Sequence, residues 1–195
     1  MADAAPDWIA WARQLQAIAQ TGLTYAENPF DRQRYEKMSA LAVEIFTVHT
    51  GTAAAVVQTW FEVQPGYATP KVDVRGACFR DGRILMVRER SDGLWCLPGG
   101  WADVGDRPAD ATVREVREES GIEVRVLSLF DLIFVPEDLR RPANVAIYLC
   151  TPVGGVLRAG EDALEAAWFG LDALPPDLGF DNGPRILERL RQRGP

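Results

Sequence analysis

Glu115, Glu118 and Glu119 lie within one turn of a helix, given about 3.6 residues per turn. On a helix they share an arc of roughly 100°. Like charges that close repel, and each raises its neighbour's pKa unless a cation sits between them. The cation that suits an all-carboxylate set is a hard, oxygen-preferring divalent ion, magnesium first. A metal site of this kind serves phosphate chemistry. Two plainer readings stand beside it. A helix bearing Arg-Glu-Val-Arg-Glu-Glu is, in isolation, a solvated face, and Arg114 could pair across one turn with Asp110 or Glu118.

The segment before these carboxylates is built to position them. Gly99 and Gly100 allow a tight turn and leave a carbonyl free to face an ion. Pro108 suits the first position of a helix, and Asp110 falls in its positive first turn. Ala109, Val113 and Val116 form an expected inward stripe, with the glutamates on another face. Arg107 is a poor N-cap, which leaves Asp106 open to a capping role. No histidine lies near this run, so a carboxylate must take the proton in any hydrolysis: Glu119, or a later residue such as Glu161 or Glu165. Arg75, Arg88 and Arg90 are candidates for holding phosphates, or are ordinary strand and loop charges. Trp101 either stacks on a base or packs.

The rest of the chain divides in two. Trp8, Trp11, Leu15 and Ile18 recur at helical spacing, with Gly22 as the expected end of that helix. Tyr35, Met38, Ala42, Ile45 and His49 make a second periodic segment, closed by Gly51. A third short helix is expected over Thr52–Glu62, stopped by Pro65-Gly66. Residues 1–66 therefore read as a helical module, with Tyr67–Pro70 as a linker into a second domain over residues 67–195. There the period switches to two. Val72, Val74, Gly76 and Cys78 alternate with Asp73, Arg75, Ala77 and Phe79, and Asp81-Gly82 turns the chain into a returning strand over Ile84–Val87. Strand-like runs follow at Val124–Phe134 and Val145–Cys150, another around Trp168-Phe169, and a closing helix over Pro184–Arg191. Spacing alone gives a mixed α/β domain. His49 reads as a satisfied helix residue, and the Trp8–Trp11 stripe as core or interface.

With 195 residues, of which 47% are hydrophobic, the chain can bury one good core and a smaller satellite. A net charge of −7 opposes general attraction to nucleic acid or membranes. Cys78, Cys96 and Cys150 form no Cys-x-x-Cys pair and His49 is the sole histidine, which argues against a structural zinc site. Buried free thiols in a reducing cytosol are expected. The start, Met1 to Trp8, lacks the pattern of a signal peptide, and no apolar run would span a bilayer. The expectation is a soluble cytoplasmic protein.

The run Gly99 to Ile122 resembles the Nudix box, G-x5-E-x7-R-E-U-x-E-E-x-G-U, where U is aliphatic. Gly100, Arg114, Glu115, Val116, Glu118, Glu119, Gly121 and Ile122 fall on the pattern, and Asp106 stands where the family has its first glutamate. The segments Thr69–Gly76 and Arg88–Trp95, with the N-terminal module, resemble two-domain Nudix hydrolases. The resemblance implies an α/β/α sandwich with a mixed sheet, preceded by a small N-terminal helical domain. It implies that the Gly100 carbonyl, Glu115, Glu118 and Glu119 are metal ligands for Mg2+, with Mn2+ as substitute. Arg114 would orient Glu115, and Glu118, Glu119 and Glu161 would act in catalysis. Arg75, Arg88 and Trp101 are the expected substrate contacts. The implied reaction is metal-dependent hydrolysis of the phosphoanhydride in a nucleoside diphosphate linked to another group, such as CDP-choline or ADP-ribose. Alternatives are a nucleoside triphosphate or RNA 5′-end pyrophosphohydrolase, or an impaired ligand sensor, which the shorter Asp106 would favour. The expected partner is a small nucleotide, with a homodimer as the expected assembly.

Overall fold

The computed structural model describes residues 7–62, 65–135, 143–179 and 183–193. The leading segment read above for a signal peptide lies, for residues 1–6, outside them. The chain forms two compact units, Met1–Thr69 and Pro70–Pro195.

The first unit holds helices α1 (Trp8–Tyr25), α2 (Pro29–Thr50) and α3 (Ala54–Glu62). Asp7 caps α1 by accepting from the Ala10 amide at 2.9 Å, and Asn28 caps α2 from Phe30 at 2.8 Å, with Pro29 in the first turn. Gly51 ends α2 in the left-handed conformation, φ 68°. Gly22 does not end α1, which runs on to Tyr25. Its role is packing: a Cβ there would lie 2.4 Å from the Tyr35 ring, so a side chain at this position would displace that ring from α1. The third helix starts at Ala54 rather than Thr52. Ala12, Phe46 and Val57 form the small core, with Phe46 and Phe61 edge-to-face at 5.5 Å. Burying a side chain such as Phe46 contributes roughly 1.5–3 kcal/mol, so this core is modest. His49 stacks on Trp8 at 5.3 Å, as a helix residue with a packing role.

The second unit is a mixed sheet between two helices, with strands β1 (Lys71–Arg80), β2 (Arg83–Glu89), β3 (Trp95–Cys96), β4 (Gly99–Trp101), β5 (Ile122–Val135), β6 (Ala143–Gly155) and β7 (Ala163–Gly170). The main order is β3-β2-β1-β6-β5, with β4 on β1 and β7 on β2. Only β1 and β6 run parallel among these pairings. Asp81 and Gly82, both at positive φ (51° and 72°), make the tight β1–β2 turn. Helix α4 (Pro108–Ser120) covers one face and α5 (Gly183–Arg193) the other. Val116 packs with Cys78, Leu85, Ile122, Val124 and Cys150, whereas Leu187 and Leu190 pack with Ala77, Met86 and Ile147.

Both faces of β1 are therefore buried, and the polar residues of its alternating pattern do not face water. Asp73 and Arg75 are each 5% exposed. Gly76 lets α4 settle on β1, since a Cβ there would meet Val116 Cγ2 at 2.4 Å. The phase of α4 also differs from expectation. Its buried residues are Ala111, Thr112, Val116, Glu119 and Ser120, so Glu119 belongs to the inward face rather than to a separate polar one.

Candidate active site

The glycine turn and α4 meet because β4 pairs with β1 in a fixed register, Arg75 opposite Gly99 and Val74 opposite Gly100. Gly99 adopts φ 155°, and a Cβ would sit 1.9 Å from the Val74 carbonyl, so only glycine fits. Its amide donates to Glu119 Oε2 at 2.9 Å in a buried contact. Gly100 lies against the next carboxylate along, where a Cβ would come 2.9 Å from Glu115 Oε2. The pair of glycines thus brings one backbone turn onto two carboxylates of the helix.

Arg114 is the second organising group. Its guanidinium donates to Glu115 at 2.7 Å, Glu118 at 3.2 Å, Asp106 at 3.3 Å and the Trp101 carbonyl at 3.4 Å. Asp103 lies 3.5 Å away. Arg107 takes the N-cap position without a side-chain capping bond and instead pairs with Asp110 at 2.7 Å. Asp106 is therefore not spent on capping. Despite being one methylene shorter than glutamate, it reaches Arg114. Arg114 does not pair with Asp110, which belongs to Arg107.

A loop after β6 closes the far end of α4. The amides of Arg158 and Gly160 donate to the carbonyls of Ser120 and Glu119, both at 3.0 Å. A Cβ on Gly160 would lie 1.8 Å from the Glu118 carbonyl, so this close passage requires glycine. Glu161 follows at once and is exposed, its carbonyl accepting from Arg90 at 2.8 Å. Glu165 sits on β7 and pairs with Arg88 at 2.9 Å; Arg88 also donates to the Gly93 carbonyl. Trp101 is 38% exposed at the mouth of the turn, with Lys71 Nζ 5.9 Å from its ring centroid.

Arg75 differs from the other expected substrate contacts. It is buried, bidentate to Asp73 at 2.8 and 3.1 Å, and it donates to the Leu97 carbonyl at 3.1 Å and Glu89 at 3.4 Å. Burial opposes its charge most strongly, but Asp73, Cys96 and Glu89 together outweigh this and hold the guanidinium protonated. A cation in that position does not offer itself to a phosphate in solvent. Sequence reasoning passed over Asp73, Glu89 and Cys96, which complete this network. The only local signal was that charged residues recurred inside apolar strands.

The electrostatics follow from burial. Desolvation pushes Glu119 up to about 7, against the Gly99 amide and Arg75, which favour its charged form; Glu89 and Glu115 push it further up. Burial also raises Glu115, opposed by Arg114. Cys96 is pushed far up by burial and is no thiolate. The donors near the turn are thus hard oxygens, the set that suits a divalent cation such as Mg2+. Among the described residues, no three acidic, histidine or cysteine side chains are already gathered as ligands. Glu115 and Glu118 turn onto Arg114, and Glu119 faces Gly99, so their gathering requires rotation away from these partners.

A NUDIX domain family profile matches residues 69–190. The chain belongs to the Nudix family. A second profile, for a UDP-X-like N-terminal oligomerisation domain, matches residues 6–61 of this Nudix hydrolase. The putative ADP-ribose pyrophosphatase YjhB of Bacillus subtilis is 35% identical over 94% of this chain and 90% of its own length. The ADP-ribose pyrophosphatase of Methanocaldococcus jannaschii is 35% identical over 64% of this chain and 76% of its own. A crystal structure of UDP-X diphosphatase superposes with TM-score 0.56 at 27% identity, covering 95% of this chain and 94% of that one. Nudix hydrolases generally use divalent metal ions, consistent with the oxygen-rich donor set.

Because the folded protein holds a proton on Glu119 up to about pH 7, against 4.5 for an ordinary glutamate, this group stabilises most below pH 4.5. That contribution is lost as pH rises through about 7 and amounts to at most about 3 kcal/mol. In metal-free protein, Glu119→Gln should therefore be more stable than wild type at pH 8, with a flatter dependence of Tm between pH 5 and 8. Equal slopes for the two proteins would contradict the buried, proton-retaining carboxylate.

Proposed function

We propose that this Nudix hydrolase cleaves the phosphoanhydride of a nucleoside diphosphate linked to a second group, of the ADP-ribose, UDP-X or CDP-choline kind. The observation that carries the reading is the buried contact between Gly99 and Glu119, with Glu115 against Gly100 beside it. The full-length likeness to relatives named for such substrates supports the substrate class. In this reading the Gly100 carbonyl, Glu115, Glu118 and Glu119 would hold Mg2+, with Mn2+ able to replace it. When bound, the ion supplies neutralisation of the diphosphate oxygens and a more acidic water.

The protein's own groups do the rest. Arg114 parks Glu115 and Glu118 at one edge of the turn, from which they would turn onto the ion, and Asp106 and Asp103 hold Arg114 in place. Glu119, or Glu161 at the end of the loop that closes α4, takes the proton from the attacking water. Trp101 offers an aromatic face at the mouth for a base, and Arg88 a surface cation. The contact of Asp106 with Arg114 favours a working site over an impaired sensor. An excess of acidic residues argues against RNA ends as substrates. Three free, buried cysteines fit a reducing cytoplasm, and among the described residues no helix is long and apolar enough to cross a membrane.

The assembly in this reading is a homodimer joined through α1. Trp8, Trp11, Ile18 and Tyr25 follow the three- and four-residue spacing of a helix seam and are 42, 48, 53 and 67% exposed. The profile over this module is one for oligomerisation. Toward its end the seam borders a groove of about 820 Å³ lined in part by Tyr25, Tyr35 and Tyr67.

Hydrolysis should be measured with Mg2+ across ADP-ribose, UDP-sugars, CDP-choline and nucleoside triphosphates. One diphosphate-linked class should be turned over in preference to triphosphates, and Glu119→Gln should lower that rate roughly 10²–10⁴-fold. Preference for triphosphates would refute the substrate class. For the assembly, Ile18→Asp should convert a dimer to a folded monomer by light scattering. An unaltered dimer would move the interface elsewhere, such as the β5 edge with its exposed Leu127, Leu129, Leu132 and Phe134.

A further inference from the structure

We infer that Arg75 is a positioning residue: a buried clamp that seats the Gly99–Gly100 turn beneath Glu119 and Glu115, rather than a contact for substrate phosphate. The inference rests on the reading of those glutamates as metal ligands and concerns how the fold holds them in place.

The guanidinium ties together segments distant in sequence. Through Nε and one terminal nitrogen it grips both oxygens of Asp73 on β1. Its other terminal nitrogen donates to the Leu97 carbonyl, in the link between β3 and β4, at 3.1 Å, and to Glu89 on β2 at 3.4 Å. Cys96 Sγ lies 3.7 Å from the same nitrogen and donates to Glu89 at 3.3 Å. The clamped carbonyl is followed by Pro98, whose own carbonyl accepts from Gly76 at 2.8 Å, and then by Gly99. Arg75 is also the floor under that glycine, since a Cβ on Gly99 would come 2.9 Å from Arg75 Cα and Cδ. The connection runs Asp73, Arg75, Leu97 carbonyl, Gly99 amide, Glu119 carboxylate, entirely through buried or partly buried contacts.

Only arginine fits the role. A planar fork can serve a carboxylate bidentately while a third direction reaches a carbonyl, which an ammonium cannot do in one geometry. The same charge offsets Asp73 and Glu89. Side chains that orient metal ligands in this way typically affect metal affinity or activity about 10–100-fold.

The test compares wild type, Arg75→Lys, the charge-removing pair Asp73→Asn with Arg75→Gln, and Glu119→Gln. Mn2+ binding to the substrate-free protein is measured by calorimetry, with kcat and KM determined separately on the preferred substrate and folding checked by circular dichroism. The clamp predicts that Arg75→Lys stays folded, binds Mn2+ about 10-fold or more weakly, and loses kcat about 10–100-fold with KM within about threefold. The double variant, which leaves no buried charge uncompensated at these two positions, should lose Mn2+ affinity in the same way. A rise in KM of about tenfold or more in Arg75→Lys, with Mn2+ affinity and kcat unchanged, would make Arg75 a substrate contact and overturn the inference. Wild-type values throughout in either folded variant would overturn it as well. If Glu119→Gln bound Mn2+ like wild type, the underlying site assignment would fall, a result separable from failure of the clamp alone.

Discussion

A carboxylate held out of water needs a partner, and in this molecule the Glu119 side chain finds it in the backbone amide of Gly99. Burial of an ionisable group is unfavourable unless it is hydrogen-bonded or paired. Meeting that demand sets conditions on everything around it. The turn must come close enough to donate, which requires glycine at 99 because the Val74 carbonyl fills the space of any side chain. Helix α4 must lie flat on β1, which requires glycine at 76. The last carbonyls of α4 must be satisfied, and the loop bearing Arg158 and Gly160 does this. Three close approaches, each dependent on glycine, surround one carboxylate.

The charges then sort into two sets. On the solvent side, Arg114 gathers Glu115, Glu118, Asp106 and Asp103 around one guanidinium. On the interior side, Arg75 does the same for Asp73 and Glu89. Glu119 lies between, with Gly99 and without a cation of its own in direct hydrogen bond among the described contacts. A local excess of negative charge near a buried carboxylate is unfavourable for the fold alone and favourable for a site that receives a divalent cation. In the proposed reading, stability is given up at that point in return for a reactive arrangement.

Much of this could be read from the chain. The box from Gly99 to Ile122 has a fixed spacing that local physics explains: Pro108 opens α4, and Gly121 closes it in the left-handed region. The Asp81-Gly82 turn was legible for the same reason, since a tight hairpin demands positive φ at both residues. What failed were inferences that depended on partners far away. Arg75 read as a phosphate contact or an ordinary strand charge, but α4 and α5 cover both faces of β1, so Asp73 and Arg75 turn inward and neutralise one another. Gly22 looked like a helix end because local sequence does not reveal the Tyr35 ring lying against it. For Glu89 and Cys96 local sequence did not show their partner, because their place beside Arg75 exists only once β2 and β3 are paired with the rest of the sheet.

The most direct measurement of the central claim is anomalous diffraction from crystals of the full chain grown with Mn2+. The account predicts one dominant peak in ligand contact with the Gly100 carbonyl, Glu115, Glu118 and Glu119, with Glu115 and Glu118 turned away from Arg114. A peak bound elsewhere, with Glu115 still on Arg114 and Glu119 still satisfied by Gly99 alone, would contradict it.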